Sequence, residues 1–414
     1  MKNMLVLLCL LSIFSACQKE GGKSDPKPVS DYRNFTSLAD FNNTLNLLVA
    51  ISDSAERETR LAHLWDSLKA HHQVPFAIGD SVALLYKGNV NSVSWAGDFN
   101  GWNPGTAGWA GQRLGTTAVF RLIKQFPADA RLDYKIVAGN NWFLDPANTY
   151  QQYSGFGPNS ELRMPSWIFP EETQPIENAT KGSLSANQLI TSSPQNLNYT
   201  VQYKVYLPYG YENLNNLPVI YITDGQEYAD NRLGAAVIIL DNLIFEHKIS
   251  PVIAVFIDPR DPSNLGNNRR MSEYTANIRF ADFVADELTA VIDQAYKTDS
   301  SASKRAIMGT SLGGWNAAFF GLRRSDKFGL IAIHSPAFDE AIISQYAASN
   351  MLPINIFMST GVIYDTQTKA RAMRDVLQAK DYPLQYIEVN QGHSWGNWRA
   401  LIEEPLVQFF GTGN

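Results

Sequence analysis

The chain has 414 residues, of which 45% are hydrophobic and 18% charged, a balance that fits a folded chain with room for more than one core and excludes general disorder. Its net charge is −6, with Lys and Arg scattered and no basic run, so nucleic acid is not an expected partner.

The first element is a targeting segment. Lys2 precedes the apolar run 4–14, which is too short to span a bilayer and has the length of a signal-peptide core. The run ends in Phe14-Ser15-Ala16-Cys17, which resembles a bacterial lipobox. That resemblance implies a signal peptide over 1–16, a diacylglycerol on the Cys17 sulfur and a lipid-anchored place in the bacterial cell envelope, at the outer membrane. The alternative is ordinary secretory cleavage with Cys17 incidental. Residues 17–30 are rich in Lys, Gly, Ser and Pro, the composition of a flexible tether. Cys9 would leave with the signal and Cys17 would be acylated, so no disulfide or thiolate metal site is expected. No later stretch offers about 18 uninterrupted apolar residues, so the lipid is the one expected membrane contact.

Residues 31–78 read as a helical lead-in. Ser54 opens a run whose Leu61, Leu64, Trp65 and Leu68 fall close to a helical stripe. His63, His71 and His72 are expected at the surface. Residues 79–170 read as β, with short alternating runs at 81–86, 92–95, 118–123 and 132–137 between Gly, Asn, Asp and Pro turns, the pattern of an all-β sandwich module. Within it, Ser94-Trp95-Ala96-Gly97-Asp98-Phe99-Asn100-Gly101-Trp102-Asn103-Pro104 resembles the signature of early-set, glycogen-binding-like sandwiches, as do Asp133-Tyr134-Lys135, Trp142 and Asp145-Pro146. The resemblance implies either an α-glucan-binding module or a structural platform beside a hydrolase, and the platform is the favoured reading.

A linker is expected over 171–194. From 195 to 414, apolar runs at 201–207, 219–222, 252–256, 304–308, 330–333 and 354–358 alternate with helical patterns at 233–243, 280–296, 314–322 and 369–380. Buried strands interleaved with amphipathic helices predict an α/β fold with a mostly parallel sheet and helices on both faces.

The chemistry centres on Gly309-Thr310-Ser311-Leu312-Gly313-Gly314. This GxSxG element lies between an expected strand and a small-residue helix, the context in which the serine hydroxyl is lifted above a sheet as a nucleophile. In an α/β-hydrolase the chain order is Ser, acid, His. Of the two downstream histidines, His334 comes before any plausible acid and reads as a pocket-wall or core residue. His393 lies where a loop after the last strand would return a base to Ser311. Asp365, after the strand at 354–358, is the expected acid, with Asp339, Glu340 and Glu388 as competitors. An oxyanion hole needs two backbone N–H groups; Leu312 follows the nucleophile, and Gln226 sits in the turn after 219–222. Trp315, Trp398, Tyr228 and His334 are the candidates for contact with substrate. No cluster of His, Asp or Glu stands at metal-ligand spacing, so neither metal nor cofactor is expected.

Residues 195–414 as a whole resemble the esterase D and enterochelin esterase-like α/β-hydrolases. The resemblance rests on Tyr206-Leu207-Pro208 with Tyr211, on Asp224-Gly225, on the serine element, on His393 with Trp398-Arg399, and on Glu273-Tyr274 after Arg269-Arg270. It implies an α/β-hydrolase fold, a Ser311-Asp365-His393 triad and carboxylic-ester hydrolysis by two-step acyl transfer. The acid stands four residues after Gly361, where the family's pattern has three. The family includes siderophore, feruloyl and acetyl-xylan esterases. The expected substrate is an acylated polysaccharide or oligosaccharide bearing acetyl or feruloyl groups. A siderophore esterase is the first alternative, and a glycan-binding surface lipoprotein with an inert hydrolase domain the second.

Overall fold

The computed structural model describes Tyr32 and residues 34–413. The signal segment expected over 1–16, the acylated Cys17 and the tether that follows lie outside the described residues. The chain divides between Ser67 and Leu68 into two compact units. The first holds α1 (Leu38–Val49) and most of α2 (Ser54–Ala70). The Ser37 side chain accepts from the Asp40 N–H, which satisfies one of the amides that the first turn of α1 leaves without a partner. Phe41, Leu45 and Leu48 make its buried stripe, and Leu61 and Leu64 are the buried positions of α2 in this unit. His63 is exposed.

The second unit begins with two antiparallel sheets. Their strands are β1 (Phe76–Ile78), β2 (Ser81–Lys87), β3 (Ser94–Gly97), β4 (Gln112–Arg113), β5 (Val119–Gln125), β6 (Arg131–Ala138), β7 (Asn141–Phe143), β8 (Gln151–Ser154) and β9 (Gly157–Arg163). One sheet runs β1-β2-β5-β4 and the other β3-β6-β9-β8, with β7 on β6. Alternate residues of facing strands, Val82 and Leu84 on β2 and Leu132, Tyr134 and Ile136 on β6, share one core with Trp95, as the two-residue period of a strand requires. Phe99 stacks on Trp109 with centroids 4.1 Å apart. Gly101, at φ +61°, then turns the chain so that Trp102 is only half-buried. Two aromatics of the 94–104 motif are therefore core and the third faces outward.

The remaining chain builds one nine-stranded sheet. Its strands are β10 (Ser183–Leu184), β11 (Gln188–Thr191), β12 (Thr200–Leu207), β13 (Val219–Ile222), β14 (Ile253–Asp258), β17 (Arg305–Thr310), β18 (Leu330–His334), β19 (Asn355–Gly361) and β20 (Leu384–Val389), and a separate hairpin is formed by β15 (Arg260–Asp261) and β16 (Asn264–Asn268). The order is β10-β12-β14-β13-β17-β18-β19-β20, with β11 also on β12. Strands β14 through β20 of this path are parallel, and β12 is antiparallel to β14. Residues 183–191, which the sequence suggests as linker, instead cover the outer edge of β12, an edge that would otherwise present unpaired backbone groups. Val219 and Tyr221 point into one core and Ile220 and Ile222 into the other; Ile307 and its neighbours Ala306 and Met308 repeat the division. Both faces of the sheet are thus buried, and its strands read as unbroken apolar runs.

The helices are α3 (Gly225–Tyr228), α4 (Ala236–Phe245), α5 (Arg270–Tyr274), α6 (Ile278–Asp282), α7 (Thr289–Ala295), α8 (Leu312–Arg323), α9 (Glu340–Ala348), α10 (Gln367–Ala379), α11 (Trp395–Arg399) and α12 (Glu403–Phe410). A π-helical stretch, Phe283–Leu288, joins α6 to α7. No helix among the described residues is long and apolar enough to cross a membrane.

One buried carboxyl in this fold is poorly compensated. Glu273 of α5 accepts from the Tyr199 hydroxyl at 2.8 Å, but its other oxygen has no hydrogen-bond partner. Burial pushes its pKa up to about 7. A carboxyl raised in this way favours folding below its unfolded pKa and loses that contribution as pH climbs through 7. Glu273→Gln is isosteric and can still accept from Tyr199. It should therefore match wild type in stability at pH 4 and exceed it at pH 8 by roughly 1–3 kcal/mol. Differential scanning calorimetry across that range measures the difference, and parallel curves for the two proteins would contradict it.

Candidate active site

The sharpest backbone constraint lies between β17 and α8. Ser311 has φ +58° and ψ −118°, a conformation that an L-residue holds only when its surroundings enforce it. A Cβ on Gly313 would sit 2.9 Å from the Thr223 Oγ1, and one on Gly314 would sit 2.9 Å from the His334 carbonyl, so the small residues of the motif are steric requirements. The Ser311 N–H donates to the His334 carbonyl at 2.9 Å, tying the turn to the adjacent strand. The result places the Ser311 hydroxyl at the carboxyl edge of the parallel strands, where open α/β sheets present ligand sites.

Two further strand ends converge there. His393, in the loop after β20, has Nε2 2.8 Å from Ser311 Oγ and Nδ1 2.7 Å from Asp365 Oδ1. A carboxylate only accepts, so this geometry puts the ring proton on Nδ1 and aims the Nε2 lone pair at the serine hydroxyl. Trp398 meets the imidazole edge-on, with centroids 4.9 Å apart. Asp365 follows β19 and its side chain is fully buried. Its oxygens also accept from Ser335 Oγ at 2.6 Å, from the Gly361 and Thr366 N–H groups at 2.7 Å each, and from Asn397 Nδ2 at 3.3 Å. The competing acids are engaged elsewhere. Asp339 caps α9 through the Ile342 N–H, Glu340 pairs with Lys369, and Glu388 takes both Arg371 Nε and Nη2 at 2.7 Å. Ser335 and Asn397 were not singled out from sequence; only the fold brings them to Asp365.

Ser311, His393 and Trp398 open into a cleft of about 630 Å³. The hydrolase side of its wall includes Asp224, Glu227, Asn268 and Arg270. The opposite side comes from the sandwich module, through Trp102, Lys135, Trp142 and Phe156, with Asp98, Asp133 and Asn159 deeper. Trp142 is 45% exposed and Phe156 fully exposed, so aromatic faces stand free within reach of solvent. Arg270 is committed to Asp224, with Nε 2.8 and 3.0 Å from its two oxygens. Burial raises the Asp224 and Glu227 pKa values. Burial, reinforced by the neighbouring Asp133, pushes Asp98 to about 7.

Three of the residues expected at the substrate lie elsewhere. Trp315 is buried and stacks on Phe319 at 5.4 Å, because α8 runs back over the sheet and only its first residue region stays near the turn. His334 is fully buried on β18, with Nδ1 2.9 Å from Ser359 Oγ and its pKa driven down to about 3 by burial; it is a core residue. Tyr228 is buried edge-on against Trp395. Trp398 alone of the four lines the cleft. In the turn that carries Gln226, the residues at the cleft wall are Asp224 and Glu227. Among the described residues, no group of three His, Cys, Asp or Glu is placed to hold a metal.

Comparison with known proteins bears on the family and the fold. Residues 194–351 match the family described as putative esterase. The uncharacterized protein YjcH of Bacillus subtilis is 25% identical over 224 residues, 51% of this chain and 91% of that protein. A 138-residue stretch is 33% identical to the endo-1,4-beta-xylanase/feruloyl esterase of Xylanibacter ruminicola, covering 30% of this chain and 18% of that protein. Among solved structures, the ferric enterobactin esterase of Salmonella typhimurium superposes with a TM-score of 0.67 at 17% identity, over 80% of this chain and 93% of that one. The enterobactin esterase of Shigella flexneri gives 0.65 at 17% identity, over 80% and 92%. Residues 194–351 thus match an esterase family, and the fold is that of an α/β-hydrolase with a β-sandwich module before it.

Proposed function

We propose that the chain hydrolyses carboxylic esters of acylated polysaccharide or oligosaccharide, with Ser311 as nucleophile, His393 as base and Asp365 as its orienting acid. The observation that carries this reading is the hydrogen-bonded series Ser311–His393–Asp365 opening on one cleft. His393 Nε2 takes the hydroxyl proton as Ser311 Oγ attacks the ester carbonyl. The tetrahedral intermediate then collapses, and the same proton passes to the departing alcohol. Water, deprotonated by the imidazole, attacks the acyl-serine and releases the acid, returning the proton to Ser311. Asp365 holds the Nδ1–H tautomer and stabilises the imidazolium as it forms. Leu312 opens α8, so its N–H has no intrahelical acceptor and is available to an oxyanion; the Gln226 N–H, in the first turn of α3, is the proposed second donor.

Two features favour a carbohydrate ester. Trp102, Trp142, Phe156 and Trp398 give the cleft flat apolar faces suited to sugar rings or a hydroxycinnamoyl group. Its charges largely cancel, Arg270 being paired with Asp224 and Asp133 with Arg131, so the wall offers no cluster of free cations to hold a ferric catecholate anion. The feruloyl esterase activity in the name of the Xylanibacter ruminicola relative points the same way. An envelope lipoprotein anchored at Cys17 belongs to the same proposal.

Ser311→Ala should cut turnover of p-nitrophenyl acetate and methyl ferulate by about 10³-fold or more, with circular dichroism unchanged; near-wild-type activity would end the proposal. Asp365→Asn should cost roughly 10³–10⁴-fold through the wrong imidazole tautomer, whereas Asp339→Asn should stay within severalfold of wild type; the reverse pattern would move the acid. In a panel of methyl ferulate, acetylated xylan and a ferric catecholate lactone, the first two are expected to be cleaved with the higher kcat/KM. Cys17→Ala should shift the protein from the membrane to the soluble fraction of cells, and an unchanged distribution would remove the anchor.

A further inference from the structure

The loop that carries His393 is held from two sides. On the hydrolase side, Asn397 Nδ2 donates to the Gly392 carbonyl at 2.9 Å. On the other, it lies on the sandwich module. The Arg131 N–H donates to the Asn390 carbonyl at 3.3 Å, and Asn390 Nδ2 donates to Asp129 at 2.8 Å. Arg131 Nη1 donates to Ser394 Oγ at 3.1 Å, one residue beyond the imidazole. A Cβ on Gly392 would overlap the Asp98 side chain, and one on Gly396 would overlap the Arg131 guanidinium. Loop and module therefore interlock without room for a side chain at either glycine.

The Arg131 side chain is fully buried. Its Nε donates to Glu161 Oε1 at 2.6 Å and its Nη2 to Asp133. Those carboxylates are fixed in turn, Asp133 by Asn159 Nδ2 at 3.0 Å and Glu161 by Arg163 Nη2 at 2.7 Å. Burying such a network is a weak route to stability, since apolar side chains of similar volume commonly do as well or better. What a planar guanidinium supplies is direction. With two of its edges set by module carboxylates, the third can meet Ser394 Oγ in only one place.

We propose that Arg131 is a positioning residue of the esterase, through which the sandwich module holds the His393 loop in register with Ser311. The proposal rests on the triad reading above. It gives the module a part in turnover that neither glycan binding nor a passive platform would provide. Arg131 touches no reacting atom; it acts through Ser394 and the backbone of residue 390.

The test is a double-mutant cycle on the full-length protein with p-nitrophenyl acetate. Arg131→Lys keeps the positive charge among Asp133 and Glu161 but cannot reach all three partners. Ser394→Ala removes the loop's half of the contact. Each is expected to lower kcat about 10-fold, in line with the cost of a small misplacement of a reacting group, with KM within twofold. Because both remove one interaction, the double variant should be no more than twofold worse than the lower single. Arg163→Met loosens Glu161, only one of the two carboxylates that aim Arg131, and leaves the loop contact in place, so it should lower kcat by less than either single variant. Wild-type kcat in either single variant, losses that multiply in the double, or an equal kcat loss in Arg163→Met would each overturn the proposal. If Arg131→Lys fails to fold by circular dichroism, Ser394→Ala alone decides, through its kcat. Failure of the triad reading is distinguishable, because Ser311→Ala would then remain active in the same assay.

Discussion

A 2.8 Å contact between His393 Nε2 and Ser311 Oγ joins residues 82 positions apart, and the rest of the site exists to keep it short. Only one of the two partners is set by its own backbone. Ser311 is fixed by a strained turn whose amide is tied to β18, and His393 hangs in a loop with few local constraints of its own. A parallel sheet solves half of this problem, because β17, β19 and β20 deliver Ser311, Asp365 and His393 to one edge in a common register. The other half, the last ångström, falls to side chains and backbone groups that hold the loop from outside.

Asp365 shows how a buried carboxylate is kept in place. A fully buried carboxylate is costly unless each oxygen is satisfied. Here Oδ1 receives His393 Nδ1 and the Thr366 N–H, while Oδ2 receives Ser335, Gly361 and Asn397. Asn397 bonds both this carboxylate and the Gly392 carbonyl, so one amide links Asp365 to the loop that carries His393. The site thus behaves as a single hydrogen-bonded unit in which removing one member leaves several others unsatisfied.

Much of this was legible in the sequence, for physical reasons that differ from place to place. Buried parallel strands must be continuously apolar, so β12, β13, β17, β18 and β19 stood out, and glycines around a serine mark a turn that tolerates no Cβ. The order Ser311, Asp365, His393 followed from topology. The failures share a different cause. Trp315 and Tyr228 were expected at the substrate, and His334 as pocket wall or core, yet a place along a helix or strand says little about which way a side chain points. Residues 183–191 lacked a long apolar run because an edge strand needs only backbone pairing. Trp102, Trp142 and Phe156 reach the cleft only through the packing of the module against the hydrolase, a relation between distant segments that no local pattern encodes.

The two glycines at 392 and 396 carry a consequence for how such proteins diversify. Each is an empty place occupied by a side chain of the other half, Asp98 in one and Arg131 in the other. Recombination that paired this hydrolase with a foreign sandwich, or this sandwich with a hydrolase bearing even alanine at those positions, would bring mismatched surfaces together beside the imidazole. In this chain the two halves are matched at the seam, whereas side chains on the aromatic rim of the cleft can change while the seam beneath it is left untouched.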